Sequence, residues 1–229
     1  MRAILLAAGK GKRLRPYTLH TPKCLMKIND IPLLYIWLTR LSDVGINNFL
    51  INTHYLSDKV NDFILKSKFA KNVFLKHEVK LLGTAATLIN NKKFFNNSDC
   101  LIVHADNYCL ADFDEFISAH NNRPPECIMT MMLFKTPDPT NCGIVELDQR
   151  GVVTSFHEKV KSPPSNIANA AIYILSSDFF EKIPFRLHLS KDFSKDILPN
   201  LLGKIYTYET NKTMIDIGNK KNYNLAQSK

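Results

Sequence analysis

The 229 residues are enough for one large domain or two small ones, and the apolar fraction of 45% and the charged fraction of 22% are ordinary for a globular protein. No apolar stretch approaches the roughly 18 residues of a membrane-spanning helix. Charges rather than a cleavage site follow the apolar residues 3–8, so we expect no signal peptide. The formal net charge of +9 favours anionic partners, and we expect a cytoplasmic protein without a membrane partner.

Strands and helices alternate through the first half of the chain. Short apolar runs predict strands at 2–7, 48–53, 73–77 and 100–105. Helical spacing predicts helices at 33–45, from 57 onward, at 84–90 and at 112–120, the first of them capped by Gly45. This alternation is typical of a doubly wound α/β fold with a parallel sheet.

The pattern changes after Pro124-Pro125. The hydrophobic pattern predicts strands at 127–135, 143–148, 151–157 and 169–175, with a hairpin turn near Asp148–Gly151. A helix at 192–202, a strand at 204–208, the MIDIG segment at 214–218 and a last helix are predicted to follow. Little helix separates the four strands, so we expect an antiparallel or mixed extension of the sheet. We predict one domain, residues 1–229, with a lobe of residues 1–124 and a lobe of residues 125–229.

Cysteines and isolated histidines are interpreted as structural residues. The number of cysteines is odd and no two form a C-x-x-C pair, so neither a zinc site nor a disulfide framework is predicted. Several lie in apolar runs, where cysteine acts as a small core residue. We predict reduced thiols without a catalytic role at Cys24, Cys100, Cys109, Cys127 and Cys142, and core positions for His104, His157 and Trp37.

The loop after the first strand points to an anionic ligand. It reads Gly9-Lys10-Gly11-Lys12-Arg13, and no acidic residue occurs before Asp30. Glycine lets the backbone approach a ligand and present N–H groups to it, and basic side chains add charge-assisted hydrogen bonds. Leu14 stands where the dinucleotide-binding pattern G-x-G-x-x-G has its last glycine, and the pattern G-x-x-x-x-G-K-[ST] is absent. With Pro22-Lys23 downstream, the loop predicts a polyphosphate site.

Several motifs in the same order as in a known family extend this prediction to the whole chain. The stretch LLAAGKGKRLRPYTLHTPKCL resembles the opening motif of the sugar-1-phosphate nucleotidyltransferases. The blocks LLGTAATL (81–88), GIVELDQRGVVTSFHEK (143–159), NAAIYIL (169–175) and DIGNKKNY (216–223) follow. The second half is most similar to mannose-1-phosphate and heptose-1-phosphate guanylyltransferases, and the opening is also close to N-acetylmuramate-1-phosphate uridylyltransferases. The resemblance implies a Rossmann-like mixed sheet of the GT-A-like type with a sugar-binding β extension.

The resemblance also implies a reaction and its metal. A nucleoside triphosphate and a sugar 1-phosphate would give a nucleotide-sugar and pyrophosphate, with Mg²⁺ bound by Asp106 and Asp216. Asp106 follows a predicted strand, at the carboxyl edge where open α/β sheets bind ligands, and Asp216 lies at another strand end. Arg13, Lys23 and Asp106 are the implied catalytic residues.

The same motifs imply which residues bind the nucleotide: Leu6, Ala7, Ala8, Gly9, Gly11, Arg13, Glu78, Gly83 and Thr84. An ionised Glu78 only accepts hydrogen bonds, so it suits the paired N–H donors of guanine better than it suits uracil, which favours GTP. His77 is the alternative reader of the base, because His77 and Glu78 cannot both point inward on a regular strand.

The resemblance implies that residues 1–124 mainly bind the nucleotide and that residues 125–229 mainly bind the sugar phosphate, through Gly143, Glu158, Lys159 and Asn169. Lys159 would contact the phosphate, and Glu158 and Asn169 would contact sugar hydroxyls. Gly143 would allow the sugar to approach the backbone closely.

Other functions remain open on the sequence. UTP, CTP or dTTP could replace GTP, and with UTP the acceptor would be an amino sugar or muramate 1-phosphate. A nucleotide-sugar-binding regulatory subunit would explain the departures from the family pattern at Lys12, Ala86 and Ala105, but it has no need of the retained metal and phosphate residues. No basic patch is interleaved with aromatic residues, so nucleic acid is not an expected partner. We make no prediction of the oligomeric state.

Overall fold

The computed structural model describes residues 1–229, which divide into two compact units. The first unit contains Met1–Leu81, Val103–Phe113 and Thr213–Lys229, and the second contains Leu82–Ile102 and Asp114–Lys212. Each unit therefore combines segments that are distant in sequence. The predicted boundary between residues 124 and 125 lies within the second unit, and the assignment of separate roles to the two halves of the chain stays a prediction.

Thirteen strands and six α-helices form the fold. The strands are β1 (Arg2–Leu6), β2 (Lys27–Ile28), β3 (Ile31–Pro32), β4 (Phe49–Thr53), β5 (Val73–His77), β6 (Cys100–His104), β7 (Asn107–Cys109), β8 (Met129–Lys135), β9 (Gly143–Leu147), β10 (Val153–Glu158), β11 (Ile167–Leu175), β12 (Ile205–Thr210) and β13 (Met214–Asp216). The helices are α1 (Leu33–Asp43), α2 (Ser57–Leu65), α3 (Thr84–Asn90), α4 (Phe113–Asn121), α5 (Phe179–Lys182) and α6 (Lys220–Gln227). The predicted mixed α/β fold is confirmed, and none of its helices has the length and apolar character that crossing a membrane requires.

Parallel strands form the sheet of the first unit, in the order β1-β4-β5. Ala3 pairs with Phe49 across β1 and β4, and Phe49 pairs with Val73 across β4 and β5. All five residues of β4 are buried, as expected of a parallel strand with both faces covered. Trp37 of α1 is buried and donates a hydrogen bond to the carbonyl oxygen of Asn107 (2.8 Å), which confirms it as a core residue.

The end of α1 agrees with the glycine signal in the sequence. Gly45 has a φ of +82°, a left-handed conformation in which glycine has no Cβ to clash. Its N–H donates to the carbonyl oxygen of Ser42, and the next N–H, of Ile46, donates to that of Leu41 (both 2.9 Å). These two bonds form a Schellman motif, which satisfies carbonyl groups at the helix end.

Mostly antiparallel strands form the second unit. β11 pairs with β8 and β9, β9 pairs with β10, and β12 adds to β8 in parallel. The predicted β9–β10 hairpin is confirmed, and the Asp148 carboxylate closes its turn by accepting from the N–H groups of Arg150 (2.8 Å) and Val152 (2.9 Å). Strand β11 contains a bulge at Ala171, whose φ of +54° is unusual for a residue other than glycine.

The predicted helix at 192–202 is wrong. Phe193–Ile197 forms a single π-helical turn, and Leu198–Asn200 forms a 3₁₀ turn. Short carboxylates compete for the backbone here, because Asp192 accepts from the N–H of Lys195 and Asp196 accepts from that of Lys191. Pro199 has no N–H to donate to a continuing helix.

The buried thiols agree with the sequence interpretation, and the two histidines do not. All five cysteines are free, and only Cys142 is not fully buried. His157 is half-buried instead of lying in the core, because β10 ends the strand order and the ring reaches Glu146 Oε2 (3.0 Å) near solvent. His104 is also half-buried, since it is the last residue of β6, where the strand leaves the core.

Candidate functional site

Lys23 lies between the two predicted metal ligands. Its Nζ donates to Asp106 Oδ2 (2.6 Å) and to Asp216 Oδ1 (3.0 Å), although the lysine side chain is almost completely buried. Lys23 is held there by the 3₁₀ turn Lys23–Leu25, directly after Pro22. The structure therefore brings together three residues that the sequence predicted to act together.

The pairing of β7 with β13 explains why the two aspartates meet. Asp106 follows β6, and β7 begins at the next residue, Asn107. In the antiparallel register Asn107 lies opposite Asp216, the last residue of β13, and the N–H of Ile217 donates to the Asp106 carbonyl oxygen (3.3 Å). Two strands of three residues each are enough to position the carboxylates.

The electrostatics keep this cluster charged. Burial by itself would lower the pKa of Lys23, but the Asp106 and Asp216 carboxylates outweigh burial and raise it. Burial would raise the pKa of Asp106, but Lys23, together with His104, outweighs burial and lowers it. Burial raises the pKa of the neighbouring Cys24 thiol to about 12, so this thiol stays neutral. Lys23 and Asp106 are therefore ionised at neutral pH.

Arg13 and Gly218 complete the cluster. Arg13 is mostly exposed, and its Nη2 lies 3.9 Å from Asp216 Oδ2. A Cβ on Gly218 would lie 2.8 Å from Asp216 Oδ2 and 2.9 Å from Arg13 Nη2, so a larger residue would separate this pair. Sequence reasoning did not assign Gly218 a role, although the pattern Asp-Ile-Gly was a possible signal.

The two carboxylates fit a magnesium ion. Both present hard oxygen atoms to one position, and Mg²⁺ takes one or two carboxylates with water and phosphate oxygens as its other ligands. No third His, Cys, Asp or Glu side chain joins Asp106 and Asp216 in a metal-binding group. The ion would have to compete with the Lys23 ammonium group for both aspartates.

The glycine loop folds against a second turn of the same unit. Gly11 has a φ of +59°, and a Cβ there would lie 2.9 Å from Thr18 Cγ2, so glycine is required. The Thr18 hydroxyl donates to the Gly11 carbonyl oxygen (2.7 Å), and the Tyr55 hydroxyl donates to the Thr18 carbonyl oxygen (2.9 Å). By contrast, a Cβ on Gly9 would meet nothing within 4 Å.

Glu78 and His77 point to different sides, as predicted. Glu78 is buried, and His77 is exposed at the end of β5. Asn52 Nδ2 donates to Glu78 Oε1 (2.9 Å), while Asn52 Oδ1 accepts from the N–H of Ala7 (2.8 Å). Sequence reasoning missed Asn52, because nothing in a buried strand of the pattern FLINT shows which distant groups an amide will bind.

Gly83 and Thr84 belong to the second unit and pack against the segment around Lys191. Gly83 has a φ of +97°, and a Cβ there would overlap the Lys191 carbonyl oxygen. That oxygen accepts from the N–H of Ala85 (2.9 Å), and the Thr84 hydroxyl accepts from the N–H of Phe193 (2.8 Å). The turn is therefore braced by the π-helical segment that replaced the predicted helix.

Three of the four predicted sugar-phosphate residues lie in neighbouring strands of the second unit, and the fourth, Lys159, directly follows β10. Glu158 is opposite Gly143 in the β9–β10 register, and a Cβ on Gly143 would lie 2.7 Å from Glu158 Oε2. Lys159 Nζ lies 3.6 Å from Glu158 Oε1 and is 62% exposed. Asn169 follows Ala168, which pairs with Ile144 next to Gly143.

The Asn169 side chain is fixed at both ends. Its Oδ1 accepts from the N–H of Ala171 in the bulge (2.8 Å), and its Nδ2 donates to the Tyr173 hydroxyl (2.8 Å). Burial raises the pKa of Tyr173, so the hydroxyl stays neutral. Tyr173, like Gly218 and Asn52, is a residue to which the sequence analysis assigned no role, and it contacts Asn169 of the predicted sugar site.

Comparison with known proteins shows the family to which the chain belongs. The family model described as "Nucleotidyl transferase" matches residues 2–229. The chain belongs to the nucleotidyl transferase family. This membership agrees with the resemblance found in the sequence motifs.

Individual members of the nucleotidyl transferase family are similar over nearly the whole chain. Mannose-1-phosphate guanylyltransferase catalytic subunit beta of Drosophila pseudoobscura pseudoobscura is 28% identical, over 97% of this chain and 60% of that protein. Mannose-1-phosphate guanylyltransferase of Mycobacterium tuberculosis is 26% identical, over 96% of this chain and 62% of that protein. The chain thus spans about three fifths of the length of the curated relatives it matches.

Solved structures in the family share the fold. The crystal structure of HddC from Yersinia pseudotuberculosis is 27% identical with a TM-score of 0.82, covering 99% of this chain and 98% of that one. The same protein complexed with GMP-PN has a TM-score of 0.81 with the same coverage.

Proposed function

We propose that the chain transfers a nucleotidyl group from a nucleoside triphosphate to a sugar 1-phosphate, with GTP as the favoured donor and mannose or a manno-configured heptose as the favoured sugar. The observation that carries the proposal is Lys23 bound between Asp106 and Asp216 in a chain of the nucleotidyl transferase family. Relatives named as mannose-1-phosphate guanylyltransferases, and the GMP-PN complex of HddC, support guanine as the base.

The proposed reaction needs charge compensation more than proton transfer. A phosphate oxygen of the sugar 1-phosphate forms a bond to the α-phosphorus, the bond from the α-phosphorus to the bridging oxygen breaks, and pyrophosphate leaves with that electron pair. The attacking phosphate is already an anion, so no general base is required. The protein then has to bring anions together in line and stabilise the charge that spreads over the transferring group.

Arg13, Lys23 and the two aspartates are suited to that task. The exposed guanidinium group of Arg13 can donate two parallel hydrogen bonds to phosphate oxygens. Lys23 is a compact cation whose raised pKa keeps it charged, and we assign it to the α-phosphate. When bound by Asp106 and Asp216, Mg²⁺ would supply further charge compensation at the phosphate oxygens.

We assign the sugar 1-phosphate to Gly143, Glu158, Lys159 and Asn169. The exposed Lys159 ammonium group suits a phosphate, and the Glu158 carboxylate suits sugar hydroxyl donors. The bonds from Ala171 and to Tyr173 hold the Asn169 amide in one orientation, which favours selection of a hydroxyl by its position. We expect the reaction in the cytoplasm, where nucleoside triphosphates are available, and without nucleic acid.

Pyrophosphate release with Mg²⁺ tests the proposal. GTP, UTP, CTP, dTTP and ATP would each be combined with mannose, heptose, glucose, N-acetylglucosamine and muramate 1-phosphates. We expect release with GTP and a manno-configured sugar. Release only with another nucleotide would keep nucleotidyl transfer and overturn the assignment of guanine. Nucleotide binding without release from any pair would overturn catalysis in favour of a regulatory nucleotide-sugar-binding subunit.

A further inference from the structure

Asn52 joins two segments to which the nucleotide is assigned. It lies near the end of β4, where its side chain is buried. Its Oδ1 accepts from the N–H of Ala7, at the start of the glycine loop, and its Nδ2 donates to Glu78 Oε1. An amide is suited to both bonds, since a carboxylate has no hydrogen to donate and an ammonium group cannot accept.

The backbone around Glu78 leaves its side chain little freedom. The Glu78 N–H donates to the Thr53 carbonyl oxygen (2.8 Å), and the Glu78 carbonyl oxygen lies 2.8 Å from His54 Nδ1. Both partners directly follow Asn52 in the chain. The same short segment therefore holds the Glu78 backbone and one oxygen of its carboxylate.

We propose that Asn52 is a positioning residue: by donating to one oxygen of Glu78, it fixes the orientation in which residue 78 faces the nucleotide base. The inference rests on the proposed function, because it assumes that residue 78 reads the base. The group of residue 78 that faces Asn52 must accept a hydrogen bond from Nδ2. If position 78 carried a side-chain amide, residue 52 would therefore determine whether the oxygen or the NH₂ group of that amide faces it and which of the two faces away.

The orientation of residue 78 by residue 52 can be tested with an amide at position 78. In Glu78→Gln, Asn52 still donates, so the Gln oxygen turns towards residue 52 and its NH₂ group turns away. In the double variant Asn52→Asp/Glu78→Gln, the carboxylate introduced at position 52 only accepts, so the Gln NH₂ group turns towards residue 52 and the oxygen turns away. The same carboxylate can still accept the bond from the Ala7 N–H. The two variants carry the same residue at position 78 with opposite orientation.

Nucleotide affinities of the purified chain, measured by calorimetry with GTP and UTP, give the decisive ratio. An oxygen accepts from the N–H donors of guanine, whereas an NH₂ group donates to the carbonyl oxygens of uracil. We expect Glu78→Gln to lower the preference for GTP over UTP about tenfold, and Asn52→Asp/Glu78→Gln to recover most of that loss. Recovery by a change at residue 52 is not expected if Asn52 only stabilises the fold.

Matched variants separate this inference from simple destabilisation. Asn52→Asp alone sets two buried carboxylates against each other, so we expect a lower melting temperature that Glu78→Gln restores in the double variant. Asn72→Asp, which changes a partly exposed amide bound only to the Asn47 carbonyl oxygen, should leave the GTP to UTP ratio unchanged. Equal ratios in Glu78→Gln and the double variant, with both folded, would overturn the inference alone. Absence of nucleotide binding and pyrophosphate release in the unaltered chain would overturn the proposed function itself.

Discussion

Two buried bases, Lys23 in the first unit and His120 in the second, have pKa values that are shifted in opposite directions. Burial lowers the pKa of both Lys23 and His120. Lys23 nevertheless has a raised pKa, because carboxylates of Asp106 and Asp216 lie within 3.0 Å of its Nζ. His120 keeps a lowered pKa, because burial outweighs the opposing effect of its single carboxylate partner, Asp99, which lies 3.4 Å from its Nε2.

The surroundings of His120 reinforce its neutral form. Its Nδ1 lies 2.8 Å from the Thr130 hydroxyl, and the charge of Arg123 further lowers the pKa of His120. Asp99 accepts from the N–H of Ser177 (2.8 Å), so its carboxylate also serves the backbone. The comparison shows that two converging carboxylates outweigh the effect of burial on the pKa of a buried base, and that one more distant carboxylate does not. Convergence of this kind is expected at a site that must hold positive charge for a ligand.

Removing Asp106 or Asp216, the carboxylates that bind Lys23, should have the largest effect on turnover. We expect Asp106→Asn and Asp216→Asn each to lower turnover at least about 100-fold at moderate Mg²⁺. Each change weakens Mg²⁺ binding, and the ion's compensation of charge at the phosphates is then lost. Asp106→Asn should also reduce the free energy of unfolding by about 1–3 kcal/mol, since Asp106 is the less exposed partner. Pyrophosphate release and chemical denaturation measure the two effects. Full activity in both variants would contradict the metal assignment.

Lys159, an exposed lysine, contrasts with the buried Lys23, and we expect its removal to affect the use of sugar 1-phosphate but not stability. Lys159 is 62% exposed and 3.6 Å from one carboxylate oxygen, so we expect Lys159→Ala to change stability by less than about 0.5 kcal/mol. The KM for sugar 1-phosphate should rise about tenfold, with the KM for the nucleotide nearly unchanged. Lys161→Ala, at an exposed position two residues on, serves as the control. An unchanged dependence on sugar phosphate would remove Lys159 from the site.

Replacing Lys23 should make the protein respond to metal. In Lys23→Met the Asp106 and Asp216 carboxylates lose their shared cation, so we expect Mg²⁺ to raise the melting temperature of this variant about 2–4 °C more than that of the unaltered chain. Thermal unfolding with and without Mg²⁺ measures the difference, and Lys27→Met, at an exposed lysine of β2, is the control. Equal responses in all three proteins would mean that these carboxylates do not bind the ion.

The lowered pKa of His120 predicts that the free energy of unfolding depends on pH. Its folded pKa lies below the usual 6.5, so the unfolded state binds more protons between these two values and stability must fall as the pH is lowered through this window. We expect His120→Gln to have a lower stability at neutral pH but a shallower slope below about pH 6.5. Denaturant unfolding between pH 5 and pH 8 measures it. An identical slope in both proteins would show that folding does not lower the pKa of His120.

Local patterns were reliable where one segment carries the information. Strand β5 and helix α3 occur at the predicted bounds, because a short apolar run and a regular helical spacing are properties of consecutive residues. The predicted helix at 192–202 failed, because Asp192, Asp196 and Pro199 change the backbone bonds without changing the apolar spacing. Strand β7 was missed because three residues are too few to show a period.

The sequence by itself determined the α/β class and, through its motifs, the family, and it predicted the phosphate-binding character of the glycine loop and the charged residues of the site. The tertiary structure decided which of those residues meet: Asp216 reaches Asp106 only through the register of β13 on β7, and Asn52 reaches Glu78 only because β4 lies beside β5. The physical reason is that hydrophobic periodicity is a local property, whereas a hydrogen bond or an ion pair depends on two groups that the fold brings within about 3 Å.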